Sequence, residues 1–247
     1  MFPIRDHNPS GRTPFVTYAL IGLNVLIFIS YYTALFNEPM ALNIMFYEWG
    51  IVPREISLGS GYATLLTSMF LHGGIMHLAG NMLFLWIFGD NLEDEMGHIG
   101  FLLFYVACGL LAGYGHVLAE PYSDIPTVGA SGAIAGVMGG YLLLFPKAKI
   151  DILLIIVIYF RIFTIPAWIM LAVWFVLQFS GALTSDANSG GVAYWAHAGG
   201  FIAGLVLTLP FFLRRGGSTY WERNDMHPPH PDATYDPSKI PLVRRRK

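Results

Sequence analysis

The chain has 247 residues, of which 55% are hydrophobic, 15% are aromatic and only 12% are charged, with a formal net charge of -2. Soluble domains carry about a quarter charged residues, so this composition, with a mean hydropathy of +0.54, excludes that class and indicates a membrane protein with several spans. The single cysteine, Cys108, excludes an internal disulfide and a Cys-x-x-Cys metal or redox pair. We expect no metal, no cofactor and no nucleic-acid partner.

Hydropathy predicts six spans, in chain order 15–36, 67–88, 100–119, 131–146, 166–183 and 195–213. The predicted fold class is an all-α membrane protein, a six-transmembrane helix bundle with a short central fourth helix. About 15 residues at ~1.5 Å each reach roughly 22 Å, which is less than the hydrocarbon core of about 30 Å. One end of the fourth span should therefore stop inside the membrane. The apolar run 150–160 is interpreted as an interfacial segment or as an early start of the fifth span.

Lysine and arginine residues predict the orientation of these spans. They occur before the first span, between the fourth and fifth, and after the sixth, whereas the alternate loops contribute only Arg54. Both termini should therefore face the cytoplasm, and the start of the fourth span should open to the outside. We expect a cytoplasmic N-terminal segment at 1–13, a six-span catalytic domain at 14–215 and a flexible basic cytoplasmic tail at 216–247. The N-terminus lacks an Arg/Ser-rich, acid-poor transit region, which favours a bacterial or archaeal cytoplasmic membrane.

Polar side chains fall on three of the predicted spans, where they are costly and often functional. His77 and Asn81 are four residues apart on the second span and therefore share one helix face. Ser131 begins the fourth span, and His197 lies near the outer end of the sixth. The orientation places all of them at a similar depth.

Glycines recur at four-residue spacing on two of these spans. They are Gly132, Gly136 and Gly140 on the fourth span, and Gly200 and Gly204 on the sixth. This spacing lets helix backbones approach each other closely. Packing the two stripes together would bring His197 within reach of Ser131.

The chemistry that this arrangement permits is acyl transfer. A serine hydroxyl needs a neighbouring base, and a neutral imidazole suits that role at neutral pH. The carbonyl oxygen under attack becomes anionic, and the Asn81 amide, His77 and the backbone N–H of Ser131 could donate to it. No Asp or Glu lies in the outer halves of the spans to orient His197, so we expect a Ser-His dyad and not a triad.

The three motifs 77–81 (His-Leu-Ala-Gly-Asn), 129–132 (Gly-Ala-Ser-Gly) and 196–200 (Ala-His-Ala-Gly-Gly) occur in that order on the second, fourth and sixth spans. In this order they resemble the rhomboid intramembrane serine proteases, over nearly the whole membrane region 14–215. The resemblance implies that Ser131 is the nucleophile and His197 the base. It also implies that His77 and Asn81 line the oxyanion hole.

Other positions match the family pattern outside the reacting groups. His72 matches a position near the active-site mouth, and Glu93, flanked by glycines at 89 and 97, matches a structural glutamate. Gly129 joins the stripe glycines as structural support. The sequence departs from the pattern in two places: residues 63–64 are Ala-Thr where many members have Trp-Arg, and Ala135 stands where some have an aromatic ring stacked on the catalytic histidine.

The predicted function is an intramembrane serine endopeptidase that cleaves transmembrane-helix substrates near the outer membrane face. Its partners would be single-span or multi-span membrane proteins and the lipid bilayer. One alternative is a non-catalytic rhomboid-like protein that binds membrane helices for quality control. Another is a transporter with a metal or proton path through His72, His77 and His197, although the five-residue spacing of the first two puts them about 140° apart on a helix.

Overall fold

Helices dominate the computed structural model, which describes residues 2–156, 159–184 and 191–233. In the described part of the chain the helices are α1 Phe15–Leu35, α2 Pro39–Trp49, α3 Pro53–Ser57, α4 Thr64–Thr67, α5 Ile75–Met96, α6 His98–Ala119, α7 Ser131–Leu144, α8 Ala167–Thr184, α9 Tyr194–Arg214 and α10 Ser218–Asn224. A 3₁₀ turn, Ser68–Phe70, follows α4. Three strands, β1 Phe2–Asp6, β2 Lys149–Ile156 and β3 Tyr159–Pro166, form one antiparallel sheet in the order β1-β2-β3.

Several of these helices could cross a membrane. The helices α1, α6, α8 and α9 are long and apolar enough, and Thr64–Phe70 together with α5 forms a fifth candidate that is bent by 94°. The apolar helix α7 has only 14 residues and is shorter than a span. The prediction of a mostly helical chain with several apolar spans is confirmed. The predicted second span, 67–88, is not one straight helix, because the glycines at 73–74 lie between Thr64–Phe70 and α5.

The segment after α7 corrects two predictions, because it forms a β-hairpin. The run 150–160 is not an early start of the fifth span, because its described residues lie in β2 and β3 and α8 begins only at Ala167, after a proline at the end of β3. Asp151 holds the sheet together by accepting hydrogen bonds from Arg5 Nε (2.7 Å), His7 Nε2 (2.8 Å) and Thr164 Oγ1 (2.6 Å). Isoleucine-rich sequence favours strands over helices. The fold is therefore not purely α-helical, and the N-terminal segment belongs to its sheet.

A polar cluster joins the N-terminal segment to the end of α7. Asn8 Nδ2 donates to Tyr141 Oη (2.7 Å) and to Asp6 Oδ2 (3.3 Å). Burial raises the pKa of Asp6 from its ordinary 3.8 to about 7, although its hydrogen bonds with Asn8 and Tyr141 oppose this rise. The native protein therefore keeps a proton on this carboxyl group at a pH where the unfolded chain has lost it.

We expect Asp6→Asn to stabilise the protein only at the higher pH. The free energy of unfolding of the wild type falls as the pH rises from 3.8 to about 7, because the unfolded chain releases the Asp6 proton in this window. Melting temperatures in detergent at about pH 5 and about pH 8 check this. The melting temperature of the variant should exceed that of the wild type at the higher pH. An equal difference between the two melting temperatures at both pH values would contradict the raised pKa of Asp6.

The carboxylate of Glu93 supports the start of α1. It is buried and accepts hydrogen bonds from the backbone N–H groups of Val16 (2.8 Å) and Thr17 (2.7 Å) and from the Thr17 hydroxyl (2.7 Å). Such first-turn N–H groups have no partner within their own helix, and a negative charge is favourable there. These contacts fit the structural role that the family pattern implies for Glu93.

Residues 216–233 pack against the bundle and do not fit the expectation of a flexible tail from 216 onward. The helix α10 lies here, and Trp221 Nε1 donates to the carbonyl of Leu143 (3.0 Å). His230 Nε2 donates to Asp94 (2.8 Å), and Lys149 Nζ donates to Asp232 (2.6 Å). Apolar and ionic contacts therefore hold a segment whose composition suggests a linker. Residues 234–247, including the basic end of the predicted tail, lie outside the described residues.

The short helix α7 forms the centre of the bundle and packs on α9 through glycine. Its residues from Gly132 to Tyr141 are all buried. A methyl group at Gly200 would overlap the backbone of Gly132, and one at Gly204 would overlap the backbone of Gly136. The two helices can approach this closely because these positions have no side chain. The resulting backbone contact sets the position of both helix starts.

We expect Gly204→Ala to destabilise the protein by at least about 2 kcal/mol, because the neighbour that must move is helix backbone. The matched control is Gly22→Ala in α1, where an added Cβ meets nothing within 4 Å. That change should leave stability unchanged or raise it by up to about 1 kcal/mol, since alanine is the better helix former. Thermal unfolding in detergent measures both, and equal melting temperatures for the two variants would contradict the packing argument.

Candidate active site

The packing of α7 on α9 brings together one hydroxyl and one imidazole. Ser131 is the first residue of α7, and His197 lies in the first turn of α9. The distance from Ser131 Oγ to His197 Nε2 is 2.7 Å, which is that of a hydrogen bond. Both side chains are half-buried. A hydroxyl bonded to a ring nitrogen is the arrangement of a serine nucleophile with its base.

A cavity of about 550 Å³ opens at this end of the bundle. Its lining includes Ser131, His197, His77 and Asn81, which come from the starts of α7, α9 and α5. The four residues that the sequence analysis assigned to catalysis and to the oxyanion hole therefore share one cavity. Its size is in the range of ligand pockets.

The loop before α7 places Ser131 beside His77. Gly129 has a φ of +133°, and a Cβ there would lie 2.8 Å from His77 Nε2 and 3.4 Å from Ser131 Oγ. Only glycine fits this conformation and this space. The loop is held in place because the backbone N–H of Gly129 donates to the carbonyl of Ser68 (2.9 Å) and residues 51 and 127 form a β-bridge. Irregular backbone inside a membrane needs such partners.

His77 directs an N–H group towards this loop. The backbone N–H of Gly73 donates to His77 Nδ1 (3.2 Å), so a neutral ring carries its proton on Nε2, the atom that faces Gly129. Asn81 lies one turn further along the same face of α5 and is buried. Its Nδ2 has no hydrogen-bond partner among the described residues. His77 Nε2 therefore lies beside the loop that carries Ser131, and Asn81 contributes an unpartnered donor to the lining of the same cavity.

His72 does not lie at the mouth of the cavity, which corrects the prediction made from the family pattern. It is fully buried and packs behind His77, with ring centroids 5.1 Å apart in an edge-to-face arrangement. The Tyr31 hydroxyl on α1 bonds to both backbone groups of His72, at 2.8 Å to its nitrogen and 2.7 Å to its oxygen. These bonds draw the residue inward, away from the lining of the cavity.

Three further residues at the site were missed by the sequence analysis. Gln178 Oε1 lies 2.7 Å from His197 Nδ1, and the ring of Trp174 lies 5.8 Å from that of His197 at an angle of 32°. His116, at the end of α6, lines the cavity and bonds to Thr127 Oγ1 (3.0 Å). Each is an isolated polar or aromatic residue on an apolar helix, and only the four-residue spacing of Trp174 and Gln178 could have placed those two on one face.

Comparisons with known proteins show which proteins this sequence is similar to. A sequence model described as "Rhomboid domain" matches residues 59–214. The chain is 31% identical over 197 residues to Rhomboid protease GluP of Bacillus subtilis, covering 80% of this chain and 36% of that protein. It is 30% identical over 201 residues to Rhomboid protein 1, mitochondrial, of Saccharomyces cerevisiae, covering 77% and 51%.

A more distant human relative, Presenilin-associated rhomboid-like protein, mitochondrial, is 25% identical over 216 residues, covering 83% of this chain and 49% of that protein. The chain thus spans about half, or less, of the length of these relatives. Because they come from a bacterium and from eukaryotes, the predicted bacterial or archaeal membrane stays a prediction. The matches and the apolar helices together identify an integral membrane protein.

Proposed function

The chain belongs to the rhomboid family, and from that premise we propose that it is an intramembrane serine endopeptidase with Ser131 as nucleophile and His197 as base. The observation that carries the proposal is the 2.7 Å contact between Ser131 Oγ and His197 Nε2 in a cavity. The two residues are 66 positions apart in the sequence and lie on different helices. A contact of this kind between two costly polar groups inside an apolar bundle favours function.

The reaction follows from the two atoms. His197 Nε2 takes the proton of the Ser131 hydroxyl as Oγ forms a bond to the substrate carbonyl carbon. The protonated imidazole then gives this proton to the leaving amine nitrogen as the peptide C–N bond breaks, and an acyl-serine remains. Water from the cavity, deprotonated by His197, hydrolyses that ester and restores the hydroxyl. No cofactor enters these steps.

The oxyanion would form on the side of Ser131 that faces α5. Asn81 Nδ2 is a buried donor without a partner among the described residues, and buried donors are normally satisfied. His77 Nε2–H and the backbone N–H of Ser131 at the start of α7 complete the set. We assign Asn81 and His77 to the oxyanion hole on this basis.

The proposed setting is a bundle of six spans, in which α7 is the short one, with both termini on the cytoplasmic side. The cavity then opens near the outer face of the membrane, and the proposed membrane is a bacterial or archaeal cytoplasmic one. The substrates would be membrane proteins with one or more spans. An intact helix keeps its carbonyl groups in hydrogen bonds, so a substrate must unwind where it is cut.

The alternatives explain less of the geometry. A non-catalytic protein that binds membrane helices would not need a hydroxyl and an imidazole at hydrogen-bond distance in a cavity. A metal or proton path through His72, His77 and His197 would need all three at one site, yet His72 packs behind His77 and outside the cavity lining. The protease therefore remains the function that we propose.

The direct test is cleavage by the purified full chain in liposomes. The substrate is a dye-labelled single-span peptide with Gly-Pro near its outer end, and its matched control carries Leu-Leu there. We expect cleavage inside the span at the helix break, and cleavage of the control slower by at least about tenfold because its carbonyls stay bonded. Mass spectrometry locates the cut, and no cleavage of either peptide would contradict the proposal.

A further inference from the structure

The helix α8 presents two side chains to His197 from one face. Trp174 and Gln178 are four residues apart, so they lie one turn from each other on α8. The Trp174 ring lies against the imidazole at a centroid distance of 5.8 Å, and Gln178 Oε1 lies 2.7 Å from Nδ1. His197 therefore contacts Gln178 through Nδ1 and Ser131 through Nε2. The side chains of Trp174 and Gln178 are both half-buried.

From this contact, and resting on the proposed function, we infer that Gln178 is the positioning residue that holds His197 in the tautomer that a general base requires. A neutral imidazole carries one proton, on either Nδ1 or Nε2. An amide oxygen can only accept a hydrogen bond, so its contact with Nδ1 requires the proton there. Nε2 then presents a lone pair to the Ser131 hydroxyl. The other tautomer would present an N–H group to that hydroxyl and could not take its proton.

The same contact supports the step after proton transfer. Once Nε2 holds the serine proton, the ring carries a positive charge and both of its N–H groups need acceptors. Gln178 Oε1 remains bonded to Nδ1–H throughout, while Nε2–H passes its proton to the leaving amine. Gln178 thus takes the orienting position that a carboxylate holds in a triad, without bringing a charge into the bundle.

Trp174 limits the tilt of the ring. With Ala135 on α7 too small to cover the imidazole, the flat surface against His197 comes from α8. A ring held on one face and bonded at both nitrogens has a fixed direction for its lone pair. The orientation of the base therefore depends on side chains of α8 packed against α9.

The experiment compares Gln178→Met and Gln178→Glu in the full-length protein. Methionine keeps the length and shape of glutamine and loses the acceptor, whereas glutamate keeps the acceptor. We expect Gln178→Met to lower kcat for the cleaved peptide about tenfold with KM unchanged, because a tenfold effect corresponds to the loss of one neutral hydrogen bond. Gln178→Glu should keep at least the wild-type rate. The matched control is Leu177→Met, an exposed neighbour that should react like the wild type.

Outcomes separate a positioning role from mere packing. If Gln178→Met keeps the wild-type rate, or if both variants lose activity equally, the inference is overturned. Imidazole ¹⁵N shifts of the histidine-labelled wild type give a second measurement that does not depend on the Gln178 variants, with the His197 signals assigned by their loss in His197→Ala. The proton should lie on Nδ1, and a proton on Nε2 overturns the inference. If the proposed function itself is wrong, the wild type will leave the peptide uncut. That result differs from a failure of the inference about Gln178, in which the wild type still cleaves.

Discussion

Replacing Ser131 by alanine is expected to abolish peptide cleavage, and replacing His197 by alanine is expected to do the same. The serine change removes the atom that would form the acyl-enzyme, and the histidine change removes the acceptor 2.7 Å away for its proton. Because the two residues act as one unit, each single variant should lose at least about 10³ in kcat, and the double variant should lose little more. The assay is cleavage of the Gly-Pro peptide in liposomes.

Matched controls come from elsewhere in the same chain. Ser30 on α1 is exposed and bonds to a carbonyl of its own helix, so Ser30→Ala should cleave at the wild-type rate. His227, after α10, bonds to the backbone of Asp225, and His227→Ala should do likewise. Melting temperatures show whether each variant folds. Full activity in Ser131→Ala would refute the proposed chemistry, since no other hydroxyl lies on His197 Nε2 in the described part of the chain.

Asn81→Ala and His77→Ala are expected to lower kcat by about 10² each while KM changes little. Their donors would contact an oxygen that becomes negative only in the transition state, so their loss should appear in turnover and not in binding. The two groups differ in the ground state: Asn81 Nδ2 is unpaired among the described residues, whereas His77 is already fixed by the backbone N–H of Gly73. Kinetics on the same peptide measure both variants.

The control for these changes is Met76→Ala, at an exposed position next to His77. Its turnover should match the wild type. If both Asn81→Ala and His77→Ala also keep the wild-type kcat, neither residue donates to the oxyanion. If both instead raise KM with kcat unchanged, they bind the substrate and do not stabilise its transition state.

The sequence was sufficient to predict what depends on period and spacing. Hydropathy located the apolar helices, and the four-residue glycine spacing on the fourth and sixth predicted spans anticipated the close packing of α7 on α9. The resemblance to rhomboid proteases is confirmed as membership of the family. In each case the signal is local, because a helix repeats every 3.6 residues wherever it packs.

Features that depend on distant partners could not be predicted. The hairpin β2-β3 is as apolar as a membrane helix, and its strand pairing with β1 depends on Asp151 meeting Arg5 and His7 from the N-terminus. The inward position of His72 depends on a tyrosine 41 residues earlier. Gln178 gained its contact with His197 only through the packing of α8 on α9. Hydropathy and motif spacing describe neighbouring residues and therefore cannot predict contacts between residues that are far apart in the sequence.

The central claim is that Ser131 is a nucleophile activated by His197, and covalent labelling tests it most directly. The full chain in lipid nanodiscs is treated with a fluorophosphonate probe, and mass spectrometry locates the modified residue. We predict one adduct, on Ser131, formed by the wild type and absent from His197→Ala although that variant keeps the same hydroxyl. An adduct on another serine, no adduct on the wild type, or equal labelling of Ser131 without the imidazole would contradict the claim.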